Sequence, residues 1–111
     1  MKKVLIIAAH PDDETLGCGG TINLLVKKNH NIKVLILGEG SSCRFTEHLS
    51  ESKKNKIIMS RENSCIKALK KLGVKKFKFN YLPCGRFDTI SIIDIARIIE
   101  NEIKKFNPEI I

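Results

Sequence analysis

Several patterns are missing from this sequence, and each absence excludes a class of protein. No apolar run approaches the roughly 18 residues that a membrane-spanning helix needs. The short apolar run behind Met1 ends in His10 and a group of acids, where a signal peptide would need small neutral residues. We therefore expect a cytoplasmic protein without a membrane span.

Paired cysteines and stacking aromatic residues are also scarce. The cysteines are scattered, with no C-x-x-C spacing, which argues against a disulfide framework or a structural zinc site; they are Cys18, Cys43, Cys65 and Cys84. We expect reduced thiols. With no tryptophan, one tyrosine and little arginine, few side chains remain to stack on bases or to read them. The net charge of +8 comes mainly from lysines at helix ends and turns, so we interpret it as a solvated surface and expect no nucleic-acid partner.

What the sequence does contain is a regular alternation of short β-type runs and longer helical runs. Strands are predicted at Lys3–Ala8, at Ile32–Leu37 and around Phe77–Tyr81, and Glu109–Ile111 opens a fourth. Helices are predicted at about Gly17–Lys28, Asn55–Leu72 and Ile90–Phe106. The alternation predicts an α/β protein with a Rossmann-like three-layer fold, in which a parallel sheet lies between helices. We expect residues 1–111 to form a single, incomplete domain that is truncated after the third helix.

The octet Ala8–Thr15 places one imidazole and three carboxylates directly behind the first predicted strand. Burying unpaired charge is costly, and a bound metal ion is the readiest compensation. Ligands of such folds bind at the carboxyl ends of the strands, which is where the octet lies. His10 and Asp13 are three residues apart and can converge on one ion, and both are good zinc ligands. A helix cap would explain one or two of these acids, but not three in a row behind a histidine and a proline.

The remaining acids of the octet have separate expected roles. Asp12 should point away from the metal, within reach of water beside it, where it can act as a general base. Glu14 should orient a ligand or cap the following backbone. A dinucleotide site is excluded, because Ile22 stands where the G-x-G-x-x-G fingerprint needs its third glycine, and three acids would repel a pyrophosphate.

These motifs resemble the signature of the PIG-L/LmbE-like zinc-dependent de-N-acetylases. The resemblance rests on four segments, namely Ala9–Glu14, Thr15–Thr21, Arg61 to Val74 and Leu82–Asp88. It implies that His10 and Asp13 are zinc ligands and that Asp12 is the general base. It also implies that Arg61 faces the pocket and binds substrate. Family members often carry an acid where Cys84 stands, and their third zinc ligand is a histidine beyond the strand that Pro108–Ile111 begins.

Two other histidines could be considered as the missing ligand. His48 lies in the connection from Gly38 to about Glu51, which is longer than usual and on the correct side of the sheet. His30 follows the first helix and should lie far from the carboxyl edge of the sheet. The ordinary expectation for both is an exposed surface histidine.

The leading hypothesis is the N-terminal part of an enzyme that uses Zn²⁺ to hydrolyse the acetamide of an N-acetylglucosamine-type substrate. Its substrate would be a small-molecule N-acetylated sugar conjugate. The alternative is a catalytically inactive truncated or split product that acts as an interaction partner, as an oligomer or with a complementing chain that supplies the missing strands. A basic nucleic-acid-binding module is the least favoured hypothesis.

Overall fold

Three strands alternate with three α-helices in the computed structural model, which describes residues 1–111. The strands are β1 (Lys3–Ala8), β2 (Asn31–Gly38) and β3 (Lys76–Leu82). The helices are α1 (Asp13–Lys27), α2 (Glu51–Lys71) and α3 (Ile92–Phe106). Short 3₁₀ turns at Ser42–Arg44 and Phe87–Thr89 interrupt the connections that follow β2 and β3. None of the helices combines the length and hydrophobicity that a bilayer crossing requires.

The sheet is parallel throughout and has the order β1-β2-β3. On the free side of β1, Ile110 forms a single parallel bridge with Val4, and the Leu5 N–H donates to the Ile110 carbonyl at 2.9 Å. The predicted fourth strand is therefore present only as this bridge. The chain runs from β1 to β2 and β3 on one side of β1, and then returns to the other side of β1, where Ile110 lies. The order in which strands are added to the sheet therefore reverses at β1. Ligands of open α/β sheets bind in the crevice at such a reversal.

Two apolar clusters cover the two faces of the sheet. On one face, Ile22 of α1 and Leu69 of α2 are fully buried against alternate residues of the strands, which are Val4, Ala8, Ile32, Val34 and Ile36. On the other face, Phe106 of α3 packs with Leu5, Leu35 and Leu37. A strand with helices on both faces must be apolar at successive positions, and the sequence of β2 has this pattern. The predicted α/β three-layer arrangement with a parallel sheet is thus confirmed.

The helix starts differ from the predicted ones. Helix α1 begins at Asp13 instead of about Gly17, and a kink at Cys18 (φ −141°, ψ 21°) divides it. Helix α2 begins at Glu51 instead of about Asn55, because the Ser50 side chain accepts the Lys53 N–H at 3.3 Å and so caps an earlier turn. Helix α3 begins two residues later than expected, at Ile92. The end of α3 is as predicted, with Asn107 in the left-handed conformation.

Candidate active site

The connections that follow the three strands meet at one edge of the sheet. The Gly38 N–H donates to the Ala9 carbonyl at 2.7 Å, and the Glu39 N–H donates to the Leu82 carbonyl at 3.1 Å. Gly38 has no room for a side chain, since a Cβ there would lie 2.7 Å from the Phe87 ring and 3.0 Å from the Ala9 carbonyl oxygen. The octet behind β1 is therefore held against the segments that follow β2 and β3.

The structure brings His10 and Asp13 together. The backbone N–H of His10 donates to Oδ2 of Asp13 at 2.9 Å, and the same oxygen lies 3.5 Å from Nδ1 of the imidazole. The ring rests at a tilt against Phe87, with 5.6 Å between the ring centroids. Asp13 is the first residue of α1, so the helix start sets the direction of its carboxylate. This is the convergence that the three-residue spacing predicts.

The geometry of this pair is compatible with zinc. Two ligands of a tetrahedral zinc ion with bonds of about 2.0–2.1 Å lie roughly 3.3 Å apart, close to the separation of Nδ1 and Oδ2. The other ring nitrogen of His10, Nε2, is buried without a hydrogen-bond partner. No group of three or more His, Cys, Asp or Glu side chains with metal-binding geometry occurs in the chain. His10 and Asp13 thus fit two positions of a zinc site.

Asp12 faces away from this pair and contacts Arg61. Its Oδ2 accepts from Nη2 of Arg61 at 3.1 Å, and half of the Asp12 side chain stays exposed. The backbone of Asp12 has a φ of 138°, which few residues other than glycine adopt. The Asp12 N–H donates to Oε2 of Glu14 at 3.0 Å, which helps to hold this conformation. The adjacent carboxylates of Asp12 and Asp13 therefore contact different residues, Arg61 and His10.

Glu14 is the buried acid of the octet, with 1% of its surface exposed. Besides the Asp12 N–H, it accepts from the Thr15 hydroxyl at 3.2 Å and from the Cys65 thiol at 3.0 Å. Burial, together with the hydrogen bond to Glu14, raises the pKa of Cys65, so this thiol keeps its proton and acts as a donor. Glu14 contacts neither of the proposed metal ligands, His10 and Asp13, through these bonds; it holds the backbone of Asp12, which precedes it.

Arg61 of α2 joins three parts of the site. In addition to Asp12, it donates from Nε to the Pro11 carbonyl at 3.2 Å and from Nη1 to the Gly40 carbonyl at 2.8 Å. Gly40 has a φ of +77°, and a Cβ there would lie 3.0 Å from Nε of Arg61. Only glycine meets both conditions, so Gly40 lets the guanidinium approach the backbone.

Glu39 is a residue of the site that the sequence did not single out. It is buried and accepts backbone N–H groups from Ser41 at 2.6 Å, Ser42 at 3.0 Å and Cys84 at 3.0 Å. Desolvation by itself would raise the pKa of Glu39, but the hydrogen bonds from Ser42, Cys84 and Ser41 outweigh it and lower the pKa. The available signal was the same as for the octet, namely an acid directly behind a buried strand.

A cleft of about 440 Å³ opens beside Asp12, between the start of α1 and the middle of α2. Asp12, Arg61 and Cys65 line it together with Ser64 and the exposed Leu16. A volume of this size suits a small molecule. Asp12 lines the cleft, whereas His10 and Asp13 do not.

The other two histidines lie apart from the pair. Nδ1 of His30 accepts the Lys2 N–H at 3.1 Å, just before β1 begins, which places His30 at the amino edge of the sheet. This is the remote position that the sequence predicted. His48 is exposed in the connection between β2 and α2, and it forms no metal-binding group with His10 and Asp13.

Known proteins resemble this chain in sequence and in fold. The profile of the PIG-L family, described as GlcNAc-PI de-N-acetylase, matches residues 5–111. Diacetylchitobiose deacetylase of Thermococcus kodakarensis is 30% identical over the whole chain, which spans 40% of the length of that relative.

Two solved structures share the fold. The N,N′-diacetylchitobiose deacetylase of Pyrococcus horikoshii superposes with a TM-score of 0.83 at 24% identity, over 98% of this chain and 39% of that one. GalB of Pseudomonas putida KT2440, a 4-carboxy-2-hydroxymuconate hydratase, superposes with a TM-score of 0.75 at 22% identity, over 99% of this chain and 46% of that one. Since the family profile covers nearly the whole sequence, the chain belongs to the PIG-L family of deacetylases.

Proposed function

We propose that this chain forms the N-terminal part of a zinc-dependent deacetylase that removes the acetyl group from an N-acetylglucosamine-type sugar. The proposal rests on the different directions in which the side chains of the octet point. His10 and Asp13 converge, while the carboxylate of Asp12 is directed to Arg61 beside an open cleft. The name of the Thermococcus relative, a diacetylchitobiose deacetylase, supports the substrate class.

His10 and Asp13 are the residues proposed to hold zinc. Deacetylases of the PIG-L family are generally metal-dependent, and the 3.5 Å between the two donor atoms suits a shared ion. A bound zinc ion supplies Lewis acidity for the hydrolysis of an acetamide. Because the chain spans 40% of the relative's length, we propose that a further ligand comes from residues outside these 111.

Asp12 is proposed as the general base. Its half-exposed carboxylate can accept a proton from the attacking water, and its hydrogen bond to Arg61 fixes the direction in which it is presented. Arg61 is the proposed contact to the sugar, since it lines the cleft next to Asp12. Its bonds to the Pro11 and Gly40 carbonyls orient the guanidinium before any substrate arrives.

GalB shares the fold and is named a 4-carboxy-2-hydroxymuconate hydratase, so hydration is a competing activity. Fold likeness at 22% identity does not decide between the two activities. The substrate class of the more similar Thermococcus relative favours deacetylation.

An amine-release assay with N,N′-diacetylchitobiose tests the proposal. We expect the chain at high concentration to release acetate and free amine slowly and only when zinc is present. The rate of release should be at least about 100-fold lower in Asp12→Asn. Asp94→Asn, at an exposed position of α3, is the matched control and should leave the rate unchanged. Release that is independent of zinc, or release that survives Asp12→Asn, would overturn the proposal for these residues.

A further inference from the structure

A pair of thiols lies at the rim of the site, where the connections that follow β2 and β3 touch. Sγ of Cys43 is 2.8 Å from Sγ of Cys84, although the two residues are 41 positions apart in the sequence. Neither cysteine is part of the chemistry proposed above. Nothing in the sequence indicates this pair, because the spacing of the cysteines does not show which loops meet.

The backbone on both sides of the pair is held in place independently of the sulfur atoms. The carboxylate of Glu39 accepts N–H groups from Ser42, next to Cys43, and from Cys84 itself. A Cβ at Gly85 would lie 3.1 Å from Cβ of Cys43, so the two connections are in direct contact. The loops therefore need little movement for the sulfur atoms to bond.

The two thiols also differ in accessibility. Cys43 is exposed, while Cys84 is buried, and burial raises the pKa of the Cys84 thiol. An exposed thiol can be reached by a small oxidant, and a buried neighbour can then resolve the product. The other cysteines are engaged elsewhere, since Cys18 donates to the Glu14 carbonyl and Cys65 to the Glu14 carboxylate.

We propose that Cys43 and Cys84 are an oxidation site that forms a reversible disulfide by exchange with a small disulfide such as oxidised glutathione. The Cys43 thiolate attacks one sulfur of that disulfide and displaces one glutathione thiolate. The Cys84 thiol then attacks Sγ of Cys43 and displaces the second glutathione thiolate, which takes up the proton that Cys84 loses. Two protein thiols are oxidised to one disulfide, and one glutathione disulfide is reduced to two thiols, so atoms and electrons balance.

The crosslink joins the segment that carries Glu39 and Gly40 to the segment behind β3. Because Arg61 rests on the Gly40 carbonyl, oxidation fixes the loop that supports the proposed site. Closing a loop of this length should raise Tm by at least about 5 °C, since the crosslink restricts the unfolded chain.

Incubation of the whole 111-residue chain with oxidised glutathione tests this site. We expect the intact mass to fall by two hydrogen atoms, a peptide map to show Cys43 linked to Cys84, and dithiothreitol to reverse both the bond and the rise in Tm. Cys18→Ser should behave like the wild type, whereas Cys43→Ser and Cys84→Ser should lose the bond. A stable glutathione adduct on Cys43 with Cys84 still reduced, a bond to Cys18 or Cys65, or no reaction would overturn the proposal. Oxidation is read by mass, so a failure here is separate from any failure of the proposed deacetylase activity.

Discussion

Arg61 donates from Nη2 to Oδ2 of Asp12 at 3.1 Å across 49 positions of sequence. The same guanidinium donates to two backbone carbonyls, at Pro11 and Gly40. It thus ties the segment behind β1 to the segment behind β2 and sets the direction of the proposed base. The orientation of Asp12 depends on a residue in the middle of α2 and on the loop on which that residue rests.

Arg61→Lys should destabilise the fold as well as the site. A lysine ammonium cannot keep the planar set of three hydrogen bonds, and at least one carbonyl would lose its partner. We expect the free energy of unfolding to fall by about 1–2 kcal/mol in urea titrations. Arg97→Lys, at an exposed position of α3, is the matched control and should change stability by less than about 0.5 kcal/mol. Equal stability of the two variants would show that the three contacts of Arg61 do not hold the loops.

Gly40→Ala should destabilise the chain by about 1–3 kcal/mol. Alanine is strained at a φ of +77°, and its Cβ would also displace the Arg61 side chain. Gly20→Ala is the control, because a Cβ there meets nothing within 4 Å and helix α1 gains a better helix former. Thermal unfolding of both variants checks the prediction, which fails if Gly40→Ala unfolds at or above the wild-type Tm.

Glu39 should make stability depend on pH in the acid range. Its pKa is lowered in the folded state, so its contribution is present above the ordinary glutamate pKa of about 4.3 and is lost as the pH falls through the lowered value. Glu39→Gln should therefore cost about 1–3 kcal/mol at pH 7. The difference from the wild type should shrink below about pH 4.

Urea titrations at several pH values measure this difference. Glu47→Gln, at an exposed position of the same connection, is the control and should be neutral across the range. A difference between Glu39→Gln and the wild type that stays constant down to pH 2 would contradict the account of Glu39.

The predictable features are those that depend on neighbours in sequence. The buried strands β1 and β2 follow from continuous apolar runs, and the approach of His10 to Asp13 follows from their spacing at a helix start. The kink at Cys18 was missed, because glycines on both sides of it suggested that the helix begins there. The helix cap at Ser50 is a local signal in the sequence, and the predicted start of α2 does not take it into account.

Contacts between distant segments could not be predicted. The hydrogen bonds of Arg61 to Asp12 and of the Cys84 N–H to Glu39 depend on how the connections pack at the edge of the sheet. The contact between the thiols of Cys43 and Cys84 has the same origin. The spacing of the cysteines in the sequence carries no information about which of them touch.

The central claim is that His10 and Asp13 share one zinc ion, and zinc titration of the chain by isothermal calorimetry tests it most directly. We predict one site per chain that weakens at least about tenfold in His10→Ala and in Asp13→Ala, since each variant removes a ligand. Asp94→Ala, at an exposed position of α3, should bind as the wild type does. Zinc binding that is unchanged in His10→Ala and Asp13→Ala would contradict the account.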